Sequence, residues 1–149
     1  MARRLTHGTN DGPVDYLRTR GAVGQGSSKT RVRQLGAAEL LTGTNISYTT
    51  DGTDGSKITL LRTGVWYISY TDHTTVGITK NTTGSDHTTN VTAITRSSLI
   101  GFIATGTDDF VTISVALELP AGTTLFPQTS GSPVGASNNE ASFEVYRVN

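Results

Sequence analysis

From residue 43 onward the chain alternates apolar and polar positions in short runs broken by turn residues, the spacing expected of an all-β sandwich. A first strand is predicted at 45–48, ended by the turn Asp51-Gly52-Thr53-Asp54-Gly55, and a second at 57–61. The strongest pattern is Gly64-Val65-Trp66-Tyr67-Ile68-Ser69-Tyr70, in which Trp66, Ile68 and Tyr70 share one face. Further strands are expected at 76–80, at 90–95 as a polar edge, and at 99–104 as a buried run. Residues 109–119 make a long strand, with Val111, Ile113, Val115 and Leu117 opposite Phe110, Thr112, Ser114 and Ala116. Pro120-Ala121-Gly122 turns the chain into a strand at 123–126, and 141–148 closes it with Phe143 and Val145 on one face. The expected fold is therefore a jelly-roll sandwich of about eight to nine antiparallel strands, with no helix longer than a turn or two.

Ahead of this, the first 36 or so residues show no sustained period. Asn10-Asp11-Gly12-Pro13 is a turn, residues 21–28 are a flexible Gly/Ser stretch, and residues 35–41 have room for one helical turn. Such a segment cannot bury a core of its own, so it is either disordered or ordered by lying on something else. The division that follows is a flexible N-terminal arm over residues 1–42 and a head domain over 43–149.

Charge sharpens that division. The chain of 149 residues has a formal net charge of zero, yet residues 1–33 carry Arg3, Arg4, Arg18, Arg20, Lys29, Arg31 and Arg33 against Asp11 and Asp15. The remainder is acidic by the same margin of five. A basic arm on an acidic body is a layout for association. There is no cysteine, so neither disulfides nor thiolate metal sites contribute. Met1-Ala2-Arg3-Arg4-Leu5-Thr6-His7-Gly8 has arginines with no apolar stretch after them, unlike a secretory signal, and no run is long enough for a membrane helix. Synthesis in a cytoplasm is the expectation, with the three Asn-x-Ser/Thr sequences (Asn45, Asn81, Asn90) as by-products of a Thr-rich chain.

Catalytic and metal chemistry finds little support. Gly26-Ser27-Ser28-Lys29-Thr30 lacks the Gly-Lys step and the strand–helix context of a phosphate loop. Residues 51–55 and 107–109 offer carboxylates to a calcium ion, but Asp and Gly are also what tight turns require. His7, His73 and His87 are scattered, without metal-ligand pairing. His73 near Asp72, with a choice of serines, satisfies a triad only on paper. Trp66, Tyr67 and Tyr70 could stack bases or sugars, but aromatics alternating on a central strand more often serve a core or a subunit interface. No enzymatic activity and no cofactor are expected, and nucleic-acid binding through the arm is the weaker reading of its charge.

The run from Lys57 through Gly64-Val65-Trp66-Tyr67-Ile68-Ser69-Tyr70 resembles the central signature of the tumour-necrosis-factor/complement-type globular head. Residues 111–119 with Pro120-Ala121-Gly122-Thr123-Thr124-Leu125-Phe126 are similar to that family's long strand, turn and following strand. Ser142-Phe143-Glu144-Val145-Tyr146-Arg147-Val148 resembles its last strand. Thr123 stands where the family often has Asp, and Trp66 where Tyr or Phe is commoner. The resemblance implies a homotrimeric jelly roll of a kind also found in virion proteins of tailed phages. The resemblance does not by itself imply a function; taken with the basic, irregular arm, the expectation is a capsid decoration, or cement, protein on the outer capsid surface. In that reading the arm residues Arg3, Arg4, Arg18, Arg20, Lys29, Arg31 and Arg33 dock on the major capsid protein. Trp66, Ile68, Tyr70, Phe143 and Val145 form the core or the trimer seam. The alternative is the receptor-binding head of a phage tail fibre or spike, with loops 81–90 and 128–140 touching a host receptor.

Overall fold

A computed structural model describes residues 14–73, 75–104, 110–129 and 138–148. Its strands are β1 (Tyr16–Gln25), β2 (Arg33–Leu35), β3 (Ala38–Thr42), β4 (Ile46–Asp51), β5 (Gly55–Leu60), β6 (Gly64–His73), β7 (Val76–Lys80), β8 (Leu99–Ile103), β9 (Phe110–Leu119), β10 (Thr124–Thr129) and β11 (Asn138–Val148). Two antiparallel sheets result. Sheet A runs β2-β1-β11-β6-β9, with β3 also paired to β1, and sheet B runs β4-β5-β10-β7-β8. The jelly-roll expectation holds, with more strands than the sequence suggested.

Alternation places the core as expected. Trp66, Ile68 and Tyr70 of β6 and Phe143 and Val145 of β11 point between the sheets and are fully buried. They meet Ile58 and Leu60 of β5, Ile78 of β7 and Leu125 of β10. On β9 the inward set is Val111, Ile113, Val115 and Leu117, as the pattern predicted. The Trp66 indole N–H donates to the Arg62 carbonyl at 3.3 Å, so a large apolar ring enters the core with its one polar atom satisfied.

The flexible arm is corrected from residue 14 onward. β1 lies inside sheet A, hydrogen-bonded to β11 on one side and to β2 and β3 on the other. Leu17, Ala22, Val32 and Leu35 are buried with the head's core residues. Ahead of β1, Asp15 accepts from the Asn45 backbone N–H at 3.2 Å and from its side-chain amide at 3.0 and 3.1 Å. The Gly/Ser stretch is pinned as well. Ser27 and Ser28 donate their backbone N–H groups to the Gly52 and Thr53 carbonyls at 2.9 Å each. A side chain at Gly26 would put its Cβ 2.6 Å from the Asp54 carbonyl carbon, so only glycine fits that approach. Arg3 and Arg4 lie outside the described residues, as does the 107–109 calcium candidate.

Other elements differ from expectation. The one-turn helix foreseen at 35–41 is the end of β2 and most of β3, because pairing with β1 outweighs a helix too short to persist. The polar edge strand foreseen at 90–95 is a 3₁₀ turn over Val91–Ala93, whose N-cap Asn90 accepts from the Thr92 backbone N–H at 3.1 Å. Val91 packs directly over Gly77 of β7, where any side chain would collide with it. The run at 99–104 is an edge strand, not a buried one, and Phe102 is 45% exposed.

Candidate functional site

The outer face of sheet A carries the most organised exposed chemistry among the described residues. In register across four strands, Tyr16 of β1 faces Tyr146 of β11, Tyr146 faces Tyr67 of β6, and Tyr67 faces Ala116 of β9. The rings stack, with centroids 6.0 Å apart for Tyr16–Tyr146 and 4.9 Å for Tyr67–Tyr146. All three tyrosines are half-buried, because each occupies the parity opposite to a core residue on its strand. Exposed Val65 and Val148 extend this strip at one end.

Towards the other end the face becomes polar. Ser69 and Ser114 lie 3.1 Å apart, and Thr71 and Thr112 lie 2.8 Å apart, as cross-strand hydroxyl pairs. The Tyr16 hydroxyl donates to Glu144 at 2.6 Å. Burial, then the Glu144 hydrogen bond and charge, push its pKa up, so the ring stays neutral and able to stack. Arg18 and Arg20 project from the same face and pair with Glu39 of β3 at 3.5 and 3.4 Å. These pairs are solvent-exposed and contribute little to stability by themselves.

Of the seven basic residues expected to dock on a partner, the five that are described do not stand together. Arg18 and Arg20 stand on the sheet A face, and Lys29 and Arg31 lie in the connection between β1 and β2. Arg33 turns inward. Only 3% exposed, its Nε donates to Asp72 at 2.8 Å, and Nη1 donates to the Gly24 carbonyl at 3.3 Å. Arg33 is thus corrected from a docking residue to a buried structural one. The same carboxylate accepts from the Tyr70 hydroxyl and from the His73 backbone N–H, both at 2.8 Å. Asp72 so belongs to a buried ion-pair network, and the His73 ring packs on Phe110 with centroids 3.7 Å apart. Asp51 accepts from the Thr53 and Asp54 backbone N–H groups at 2.7 Å, which is the turn-capping role. Among the described residues no group of three or more His, Asp or Glu is placed to hold a metal ion.

His87 is held differently. It is buried at the end of a 3₁₀ turn (Gly84–His87), tilted against Phe126 with centroids 4.3 Å apart. Burial, and then the Lys29 charge, lower its pKa from 6.5. Between that lowered value and 6.5 the unfolded chain binds more protons than the folded one. The stability His87 contributes is complete above pH 6.5 and is lost as pH falls through the folded-state value. Urea unfolding at neutral pH and at about pH 5 is expected to show an acid loss in the wild type that His87→Gln lacks.

The tyrosine strip went unrecognised as a unit in the sequence. Tyr67 and Tyr146 can be assigned to outward positions from the parity of their strands, but β1 has too weak a pattern to reveal Tyr16.

No protein-family model matches the chain, and no curated protein matches its sequence. Solved structures do match in fold. A crystal structure of murine APRIL superposes with a TM-score of 0.62 at 10% identity, covering 91% of this chain and 99% of that one. A crystal structure of pika GITRL gives a TM-score of 0.51 at 15% identity, covering 92% and 96%. Identities this low speak to architecture alone. What this chain shares with them, over nearly its whole length, is the tumour-necrosis-factor-like jelly-roll fold.

Proposed function

We propose that this chain is a non-catalytic assembly protein of a phage virion, a homotrimeric capsid decoration protein whose heads associate through the tyrosine face of sheet A. The observation that carries the reading is the stacked row Tyr16–Tyr146–Tyr67 with Val65 and Val148 beside it. Such a strip buries apolar area at low side-chain entropy cost when a second copy covers it. The complementary surface is the edge where the two sheets end. β8 and β9 are the end strands of the two sheets and neighbour one another, and β8 exposes Phe102 and Ile103 there. The tyrosine face of sheet A and the β8 edge are different surfaces, so contact between copies is head-to-tail and closes into a ring. The resemblance to trimeric heads supports three as the number of copies.

Docking on the capsid then falls to basic groups away from the seam: Lys29 and Arg31 between β1 and β2, with Arg3 and Arg4 further ahead. The support for an acidic partner surface is the positive charge of these four groups, which all fall within residues 1–33. Three linked copies multiply weak contacts, and a trimer that binds only the assembled lattice stabilises it by mass action.

Light scattering on the purified chain is expected to give the mass of three chains. Tyr67→Arg, which forces a charge into the proposed seam, is expected to give a monomer with an unchanged circular dichroism spectrum. A wild-type monomer would remove the trimer. Sedimentation with shells assembled from the phage's major capsid protein tests the second step separately. A trimer that does not pellet with shells retains the assembly reading and loses the capsid one.

A further inference from the structure

On the outer face of sheet B, away from the tyrosine strip, a cavity of about 300 Å³ opens between the β4–β5 turn and the loop that follows β7. That volume lies at the small end of the range for small-molecule sites. Its floor comes from the sheet. Thr49 of β4 and Lys57 of β5 are direct cross-strand partners with exposed side chains, and Phe126 of β10 lies alongside. The walls are the Asp51–Gly55 turn on one side and residues 82–87 on the other, with Lys29 at the rim.

The chemistry lining this cavity is mixed in a specific way. Lys29 and Lys57 balance Asp51 and Asp54, so the site has no net charge with which to select an anion or a cation. Ammonium groups donate, carboxylates accept, and the Thr49 and Thr83 hydroxyls do both. His87, which lines the cavity and is 5% exposed, has a buried Nδ1 with no hydrogen-bond partner. Its other nitrogen is engaged. Gln128 Nε2 donates to Thr79 Oγ1 at 3.0 Å, Thr79 and Thr82 hydroxyls lie 3.0 Å apart, and Thr82 Oγ1 lies 3.1 Å from His87 Nε2. If each hydroxyl passes its proton along that chain, Nε2 accepts and Nδ1 carries the remaining N–H. Burial favours this neutral ring. The cavity then offers paired donors and acceptors at the rim and a phenyl ring on its floor, beside a neutral imidazole.

From this arrangement we propose that the cavity binds a neutral sugar, a single pyranose unit of a glycan, with Phe126 against a C–H face of the ring and the charged and hydroxyl groups bonded to its hydroxyls. A molecule that is both donor and acceptor around its rim, apolar on one face and uncharged, matches the site on each count. A phosphate or carboxylate would meet Asp51 and Asp54, and an apolar ligand would leave both lysines and both carboxylates desolvated. The inference rests on neither the trimer nor the capsid: the cavity is lined by β4, β5, β10 and residues 82–87, and of the groups proposed for docking it shares Lys29 alone.

The test is a titration of the full-length chain, followed by amide-resolved NMR, with the methyl glycosides of glucose, galactose, mannose and N-acetylglucosamine at millimolar concentrations. Inorganic phosphate is titrated in parallel. At least one glycoside is expected to shift the Gly55, Gly84 and His87 amides saturably, while phosphate does not. Lys57→Ala and Asp54→Asn, both at solvent-exposed positions, are expected to keep the dispersed spectrum and to weaken binding roughly tenfold, the size of one lost hydrogen bond to a charged group. No saturable shift with any glycoside would overturn the proposal. So would saturation by phosphate at the same amides, or full-strength glycoside binding in both variants.

Discussion

Deleting residues 1–36 will unfold the head, whereas deleting residues 1–13 will leave a cooperatively folding protein. The longer deletion removes β1 and the whole of β2, and so strips β11 of one of its two partners along the register from Tyr16↔Tyr146 to Ala22↔Asn138. It also removes the fully buried Leu17 and Val32, together with Leu35, which is 1% exposed. Each such side chain contributes roughly 1.5–3 kcal/mol by burial. Loss of Arg33 leaves the buried Asp72 without its cation, at a cost of about 3–5 kcal/mol. These losses together match the entire stability of an ordinary domain, about 5–15 kcal/mol. In a single-residue version, Leu17→Ala is expected to cost about 2–5 kcal/mol in urea unfolding, as a core truncation does. A fragment of residues 37–149 with dispersed NMR signals and a sharp unfolding transition would show that β1 is dispensable, and with it the assignment of residues 14–42 to the head.

Arg33→Met will destabilise the fold by about 3–5 kcal/mol although it swaps a charged residue for an apolar one of similar length. The reason is what remains behind. Asp72 is 1% exposed, and without Arg33 it loses the cation paired with it, while the Tyr70 hydroxyl and the His73 amide that also bond it are neutral. Arg33→Lys is expected to fall between wild type and Met. A lysine restores the charge but not the fork that reaches Asp72 and the Gly24 carbonyl together. Replacing both partners, as Arg33→Met with Asp72→Asn, is expected to cost less than the two single changes added, because no lone buried charge remains. Chemical unfolding with an unchanged denaturant slope is the measurement. A loss below about 1 kcal/mol for Arg33→Met would return Arg33 to the class of solvated surface arginines.

These two expectations fall on the part of the chain that its sequence described least well. Alternation made β6, β9 and β11 legible because each carries several apolar residues on one parity: Trp66, Ile68 and Tyr70; Ile113, Val115 and Leu117; Phe143 and Val145. β1 offers only Leu17 and Thr19 to the core before Gly21, and its other parity is Tyr16, Arg18 and Arg20, so its hydrophobic signal resembles that of a polar tail. The loop after β7 was hidden for a related reason. Its 3₁₀ turns over Gly84–His87 and Val91–Ala93 have no period to detect, and they order by packing His87 on Phe126 and Val91 on Gly77.

What the sequence by itself determined is local: the all-β class, most strands after residue 43, their turns, and which residues on each strand face the core. That information lies in residues two apart, where the geometry of an extended chain imposes it. The tertiary structure alone decided which strands became neighbours, and with that the fate of identical residue types. Arg18 and Arg33 are both arginines of the basic segment, yet one stands on an open face and the other is sealed against an aspartate 39 positions away. Tyr16 joins Tyr146 and Tyr67 only because the first and last strands pair, bringing together side chains such as Tyr16 and Glu144 that are 128 residues apart. Contacts at that separation are set by how two sheets close around one core, a property of the whole chain that no short stretch of it encodes.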